Sequence, residues 1–282
     1  MKKEINQLLS LENKNGLSEG TLKKYEIDLN LFFEYMEHKQ NIKSLDNVTR
    51  EEGQKIIDRY INYLKREGYK PSTINGKVVS INKFLKYLGY EFKAKAIKIQ
   101  NKMYIENIIS EREFEKIIRA CKDNKRDYTI IMTLANTGLR VSELLSLTIN
   151  DTKKKSIYIY GKGGKGRELI LSPQLKKLLN NYIENYRMKT HKRLLFTGER
   201  GALKRNAINK MLLKYQKKTG ISKEKMHPHS FRHFYAKYLI NKGVGLDVIQ
   251  TLLGHENINT TAIYTKGSKK EIESIINNNF IA

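Results

Sequence analysis

The last quarter of the chain gathers side chains that are suited to chemistry at a phosphodiester. His229 and Arg232 lie in the segment His-Ser-Phe-Arg-His, His255 follows Leu-Leu-Gly, and Tyr264 comes nine residues after His255. Histidine moves protons near neutral pH, and arginine binds a phosphate through two N–H groups. Tyrosine can attack phosphorus and hold it covalently. These residue types together predict a protein that breaks and rejoins a phosphodiester through a phosphotyrosine.

A second guanidinium comes from Arg140, in the segment Thr-Gly-Leu-Arg-Val-Ser-Glu-Leu. Gly138 precedes it by two residues, which predicts a junction between two helices. The apolar neighbours Leu139 and Val141 predict partial burial, and a buried guanidinium needs a partner. Glu143 is the candidate partner, or a residue that supports the arginine from behind.

The pair His229 and His233, four residues apart, also fits one face of a helix and could bind a metal. A zinc-protease motif requires glutamate after the first histidine, and Ser230 stands there instead. No carboxylate cluster in the sequence offers metal ligands. The pattern favours one histidine facing a phosphate and His233 packing inward as a support, with no metal and no cofactor.

Residues 161–166 read Gly-Lys-Gly-Gly-Lys-Gly and formally match a dinucleotide fingerprint. That fingerprint needs a helix after the glycines, whereas the pattern here predicts a strand. The phosphate-loop motif also fails, because Arg167 and Glu168 stand where Lys-Ser or Lys-Thr is required. The segment is interpreted either as a mobile basic turn or as a hairpin tip that delivers Lys162, or Lys165, to a phosphate.

The chain is strongly basic. Among 282 residues, 54 are Lys or Arg and 29 are Asp or Glu, which gives a net charge of +25. Such a surplus predicts a polyanionic partner, with nucleic acid the first candidate and a ribosome-associated or simply basic soluble protein the alternative. Cys121 is the only cysteine, so no internal disulfide can form, which fits a reducing compartment. With no apolar segment of membrane-spanning or signal-peptide length, we expect a cytoplasmic protein without a membrane partner.

The pattern of elements predicts a mainly α fold with a small β-sheet (α+β), in two domains. Residues 1–90 are expected to form a helical domain, with Ser18 as an N-cap and Pro71 opening a later helix. Residues 91–107 are expected to be a linker. A capping box at Ser110 opens the second domain, residues 108–282. Its predicted strands and later helices are 156–160 and 168–171, then about 174–187, 205–218, 230–242, 245–253 and 268–277.

The ordered motifs resemble those of the tyrosine recombinases, the phage-integrase family, and most of all its compact Xer-like or transposon-resolvase-like members. The resemblance implies a helical core-binding domain followed by a catalytic domain. The matching segments are Thr137–Arg140, the hairpin lysine Lys162, His229–His233, Leu252–His255 and Thr261–Tyr264.

The resemblance also implies a mechanism and partners. The expected catalytic residues are Arg140, Lys162, His229, Arg232, His255 and the nucleophile Tyr264, with Glu143, His233 and Lys165 in support. The expected partner is double-stranded DNA with a specific recombination site, bound by a homotetramer on paired sites or together with a paralogous recombinase. A non-catalytic DNA-binding protein of the same fold and a type IB-like DNA-relaxing enzyme are the alternatives.

The tail beyond Tyr264 carries Ile272, Ile275 and Ile276 at helical spacing. An apolar stripe of this kind predicts docking into a groove, either on a neighbouring subunit or on its own domain. The sequence leaves open whether the task is chromosome-dimer resolution, integration and excision, or cointegrate resolution.

Overall fold

The computed structural model describes residues 2–46, 48–99, 107–160 and 166–254. The chain divides into two compact units, residues 1–101 and 102–282. Helices dominate both, and the strands form small antiparallel sheets, which confirms the expected fold class. Within the described ranges, no helix is both long enough and apolar enough to cross a membrane.

Among its described residues, the first unit has four helices around an apolar core that is rich in aromatic rings, among them Phe32, Tyr60 and Phe84. The helices predicted after Ser18 and from Pro71 are present, and a first helix that the sequence analysis does not predict precedes them. The helices are α1 (Lys2–Lys14), α2 (Glu19–Gln40), α3 (Arg50–Arg66) and α4 (Pro71–Tyr87).

An extended segment follows α4 and stays attached to it. The side-chain amide of Asn82 exchanges two hydrogen bonds with the backbone of Ala94, at 2.9 and 2.7 Å. Asn75, seven residues earlier and therefore two turns away on the helix, does the same with Ile97, also at 2.9 and 2.7 Å. Phe92 adds a buried ring to the first core. The beginning of the predicted linker is thus bound to α4 over several residues.

The second unit holds seven α-helices and two strand pairs among its described residues. The helices are α5 (Glu111–Cys121), α6 (Lys125–Thr137), α7 (Val141–Ser146), α8 (Pro173–Asn185), α9 (Arg205–Thr219), α10 (Pro228–Asn241) and α11 (Leu246–Leu253). The strands are β1 (Ile157–Tyr160), β2 (Gly166–Leu169), β3 (Thr197–Gly198) and β4 (Gly201–Ala202), and short 3₁₀ helices cover Ile149–Lys153 and Lys223–Lys225.

Local signals place the ends of the helices that matter for the site. The capping box at Ser110 is present, with reciprocal hydrogen bonds to Glu113. α10 begins at Pro228, whose fixed φ suits the first turn of a helix. Gly138 and Gly254 end α6 and α11 in the left-handed conformation, at φ of 60° and 63°.

Packing in the second unit brings together elements that are distant in sequence. α10 packs against α6, and α11 packs against both α10 and β2. The β1–β2 pair is antiparallel, with Tyr160 opposite Gly166 at the end nearest in sequence to Lys162 and Lys165. Side chains of Ile157, Ile159 and Leu169 anchor the hairpin in the main core of the unit. The end of α6, the start of α10, the end of α11 and β2 therefore meet in one place.

Candidate active site

Arg140 lies at the junction between α6 and α7. Gly138 makes the turn, and a side chain there would clash, because a Cβ atom would lie 2.7 Å from the Tyr235 ring and 2.8 Å from Leu253. Arg140 is the N-cap residue of α7, and its backbone N–H donates to Glu143 Oε2 at 2.8 Å. Its Nη1 donates to Glu143 Oε1 at 2.8 Å. The side chain remains 42% exposed, so a tightly fixed guanidinium faces solvent.

Glu143 is the partner that the sequence suggested for Arg140, and it is 6% exposed. A second cation, Arg167, binds the same carboxylate with both terminal nitrogens, Nη1 to Oε1 at 3.1 Å and Nη2 to Oε2 at 2.9 Å. Burial by itself raises the pKa of the Glu143 carboxyl, but the hydrogen bonds from Arg167 and Arg140 outweigh it and lower the pKa to about 2. Glu143 is therefore a permanent anion that orders two arginines.

Sequence reasoning missed Arg167, which is 8% exposed and lies on β2. Its Nε donates to the backbone oxygen of Leu252 at 2.8 Å, near the end of α11. A signal was present in the sequence, since Arg167 alternates with the buried Leu169 and Leu171 and so faces the core. A guanidinium at a core-facing strand position requires a buried acceptor, although the sequence does not say which one.

Arg232 lies on α10 and is 1% exposed. Its Nη1 donates to the backbone oxygen of Gly138 at 2.8 Å, and its Nη2 donates to the backbone oxygen of Leu253. The contact with Gly138 brings Arg232 to the turn that carries Arg140, although 92 residues separate the two arginines in sequence. The second predicted arginine therefore sits beneath the surface, between the ends of α6 and α11.

The two histidines of the motif lie on the first turns of α10. The rings of His229 and His233 are edge-to-face, with centroids 4.4 Å apart. Partial desolvation lowers the pKa of His229 below 6.5, and its neighbours Arg232, His227 and Arg140 lower it further. His229 lies at the surface. It is therefore a neutral, accessible imidazole near both arginines at physiological pH, the state that a proton acceptor needs.

Four predicted site residues, Lys162, Lys165, His255 and Tyr264, fall outside the described residues. Hydrogen bonds bring Arg140, Glu143 and Arg232 to the Gly138 turn, and His229 and His233 lie on α10 within one turn of Arg232. In the described ranges, no group of three or more His, Cys, Asp or Glu side chains is arranged to hold a metal ion.

Comparison with known proteins agrees with the motif order. A sequence model described as the phage integrase family matches residues 107–271, and one described as the phage integrase N-terminal SAM-like domain matches residues 5–91. The chain is 31% identical to tyrosine recombinase XerA of Pyrococcus horikoshii, over 93% of this chain and 88% of that protein. It is 29% identical to tyrosine recombinase XerD of Listeria innocua, over 92% of each.

Solved structures share the fold. The XerH site-specific recombinase bound to a palindromic difH substrate, in a post-cleavage complex, superposes with a TM-score of 0.72 at 23% identity, covering 90% of this chain and 78% of that one. The family match spans more than half of the chain, and the XerA relative is aligned over nearly all of it. The resemblance drawn from the motifs is confirmed, and the chain belongs to the phage integrase family, the tyrosine recombinases.

Proposed function

We propose that this protein is a site-specific DNA recombinase that cleaves and rejoins DNA strands through a 3′-phosphotyrosine intermediate. The observation that carries the proposal is the contact of Arg232 with the Gly138 turn that carries Arg140, with His229 three residues before Arg232 on the same helix. Two guanidiniums suit the negative oxygens of one phosphodiester, and a neutral imidazole beside them suits the removal of a proton. Membership of the tyrosine recombinases supplies the reaction class.

In the proposed reaction, the Tyr264 oxygen attacks the scissile phosphorus. The bond from phosphorus to the 5′-oxygen of the next nucleotide breaks, and the 3′ side of the strand becomes linked to the tyrosine. His229 accepts the phenol proton, and Lys162 donates a proton to the departing 5′-oxygen. Attack by the 5′-hydroxyl of another strand reverses the step. The bond energy stays in the phosphotyrosine, so no energy-rich cofactor is needed.

The other residues of the site hold the phosphate. Arg140 would bind the phosphate through its exposed guanidinium, and Arg232 would stabilise the charge that develops on the phosphate oxygens from its position beneath the surface. His255 would hydrogen-bond the phosphate and keep it in line with Tyr264. We assign supporting roles to Glu143, His233 and Lys165, of which Glu143 has the most direct basis, because it binds Arg140 through both of its oxygens.

We infer that the partner is double-stranded DNA carrying a specific site, which the net charge of +25 and the DNA-bound XerH neighbour both support. A homotetramer on paired sites, or a complex with a paralogous recombinase, is the proposed assembly, and the cytoplasm is the proposed location. The proposed domains are a core-binding domain over 1–90, a linker over 91–107 and a catalytic domain over 108–282 with a C-terminal tail helix.

The test begins by finding the DNA site. Tagged protein is incubated with genomic DNA from its own source, denatured in detergent and purified, and the DNA ends that remain covalently attached are sequenced. We expect the ends to cluster at one short sequence for the wild type and to be absent for Tyr264→Phe. Ends attached to Tyr264→Phe would contradict the nucleophile, and no attached DNA at all would favour a non-catalytic DNA-binding protein.

A relaxing enzyme of the same chemistry would religate the strand that it cleaved and would need no partner site. Relaxation of a supercoiled plasmid that lacks the identified sequence separates the two activities. We expect no relaxation of that plasmid, and efficient relaxation would favour the type IB-like alternative. EDTA should leave cleavage unchanged, because the proposed charge stabilisers are side chains.

A further inference from the structure

We propose that Arg167 is a positioning residue for DNA cleavage, which ties the Arg140 turn, the end of α11 and the lysine-bearing hairpin into one unit. This role rests on the proposed function, because it concerns the same site. Arg167 is buried, at 8% exposure, and we assign it no contact with DNA.

Arg167 is connected to Arg140 through the hydrogen bonds around Glu143. Each carboxylate oxygen accepts one bond from Arg140 and one from Arg167: Oε1 from the two Nη1 atoms, and Oε2 from the Arg140 backbone N–H and Arg167 Nη2. The fork of Arg167 therefore fixes the orientation of the carboxylate. Arg140 binds the same two oxygens, so the direction of its guanidinium depends on Arg167.

Arg167 is also bound to the end of α11. The last carbonyls of a helix have no partner within the helix. Here the backbone oxygen of Leu252 accepts from Arg167, and that of Leu253 accepts from Arg232. Gly254 then packs directly over the arginine, because a Cβ atom there would lie 2.8 Å from Arg167 Cδ. The chain that leads to His255 therefore departs from a point that Arg167 defines.

Arg167 also belongs to the β1–β2 pair. Arg167 is the second residue of β2 and pairs with Ile159 of β1, one pair beyond Tyr160 and Gly166. Residues 161–165, which include Lys162, connect Tyr160 to Gly166 in sequence. By binding Glu143 and Leu252, Arg167 fixes the strand next to these residues to the Arg140 turn and to α11.

Energetics favour this role over a purely stabilising one. A buried ion pair is weak evidence for stability, because desolvation offsets most of the attraction and apolar replacements are often tolerated. A leucine at position 167 would continue the apolar pattern of Leu169 and Leu171. The guanidinium differs from a leucine in joining three elements, and a lysine could not do so, since one ammonium cannot span both carboxylate oxygens and a distant carbonyl.

The test measures single-turnover formation of the covalent adduct on a nicked DNA substrate at saturating protein, below the melting temperature of every variant. Arg167→Met is compared with Arg187→Met, a matched control. Arg187 is also a buried arginine of the second unit, at 9% exposure, but it donates to backbone oxygens of His191, Leu194 and Leu195 and makes no hydrogen bond with a site residue that the structure describes. Both changes are expected to lower the melting temperature.

Only Arg167→Met should slow adduct formation, by roughly 10- to 100-fold, the scale of displacing reacting groups by about 1 Å. DNA binding in a gel shift should stay close to wild type in both variants. Arg167→Lys should remain slow as well. Equal slowing by Arg187→Met, or a wild-type rate in Arg167→Lys, would overturn the positioning role.

A double-mutant cycle gives a readout that a merely structural role would not move. If Arg167 acts through Arg140, the slowing in the double variant Arg140→Ala, Arg167→Met should be clearly smaller than the product of the two single effects. Effects that multiply fully would contradict the coupling. Failure of the wild type to form any adduct would instead contradict the proposed function, so the two failures are distinguishable.

Discussion

Two buried carboxylates, Asp28 in the first unit and Glu143 in the second, are each held by two cationic side chains. Around Asp28 the cations are lysines: Lys24 donates to Oδ2 at 2.6 Å, and Lys77 donates to Oδ1 at 3.0 Å. Ser80 completes the carboxylate with a bond of 2.8 Å. All of these groups lie on α2 and α4, so the hydrogen bonds of the Asp28 carboxylate join one helix to the other.

Around Glu143 the cations are arginines, and the network continues beyond the carboxylate. Arg140 carries it outward to an exposed guanidinium, and Arg167 carries it across to the backbone of α11 at Leu252. The difference lies in the side chains, because a lysine ends in a compact point charge whereas an arginine offers five N–H groups in a rigid fork.

The contrast separates two uses of one electrostatic arrangement. In the first unit, the arrangement satisfies a buried charge and fastens a helix pair. In the second, it fixes the direction of an exposed cation and the start of the segment that leads to His255. Changes in the first network should therefore affect stability alone, and changes in the second should affect stability and cleavage together.

The largest effects are expected from the two arginines of the proposed phosphate clamp. Arg140→Ala and Arg232→Ala should each slow adduct formation by about 100-fold or more, the scale of losing one transition-state donor. They should differ in stability, because only Arg232→Ala leaves the buried carbonyls of Gly138 and Leu253 without their donor, at about 1–3 kcal/mol for each unsatisfied group. Single-turnover cleavage measures the loss of rate, and thermal unfolding measures the difference in stability between the two variants. Wild-type cleavage rates in both variants would contradict the proposed phosphate clamp.

A direct comparison of the networks comes from the isosteric pair Glu143→Gln and Asp28→Asn. Each removes a buried negative charge that faces two cations, and we expect each to cost about 3–5 kcal/mol in the free energy of unfolding. Only Glu143→Gln should also slow cleavage by the DNA-bound protein, because Arg140 loses its anchor. Chemical denaturation and single-turnover cleavage on the same samples are the measurements. Equal slowing by Asp28→Asn would end the distinction between the two networks.

Acid should reduce the contribution of both networks to stability, and the Glu143→Gln variant isolates the contribution of Glu143. The folded-state pKa of Glu143 is lowered to about 2 from 4.5, so its contribution to stability is full above the unfolded-state value and is lost as pH falls towards 2. The shift corresponds to about 3 kcal/mol. Stability measured from pH 6 down to about pH 3 should fall less steeply in Glu143→Gln than in wild type. An unchanged slope would contradict the depressed pKa.

The smallest effect concerns the pH dependence of cleavage. Desolvation, with help from Arg232, His227 and Arg140, lowers the pKa of His229 below 6.5. A general base must be unprotonated, so cleavage should decline in acidic solution with a midpoint below pH 6.5. His229→Gln should lower the plateau and remove the decline. Rate–pH profiles for the two proteins test this, and a decline that persists in His229→Gln would assign the proton transfer elsewhere.

Local patterns predicted much of the fold. The capping box at Ser110, the helix that begins at Pro71 and the junction at Gly138 depend on neighbours a few residues away, and each is present where it was expected. The interaction of Glu143 with Arg140 was also within reach, because the two residues lie three apart at a helix start.

Contacts between distant segments could not be derived in the same way. Arg167 and Leu252 are 85 residues apart, and Arg167 and Glu143 are 24 apart. The strand alternation indicates that Arg167 faces inward but not which acceptors it meets. The hydrogen bonds from the side-chain amides of Asn75 and Asn82 to the following segment could not be predicted either, because an asparagine in a helix does not indicate which backbone groups it binds.

The most direct test of the account is to identify the residue that carries DNA in the covalent complex. The adduct formed on a nicked substrate is digested with protease and nuclease, and the remaining peptide is sequenced by tandem mass spectrometry. We expect a nucleotide linked through its 3′-phosphate to Tyr264, and no adduct with Tyr264→Phe. Attachment at any other residue, or through a 5′-phosphate, would contradict it.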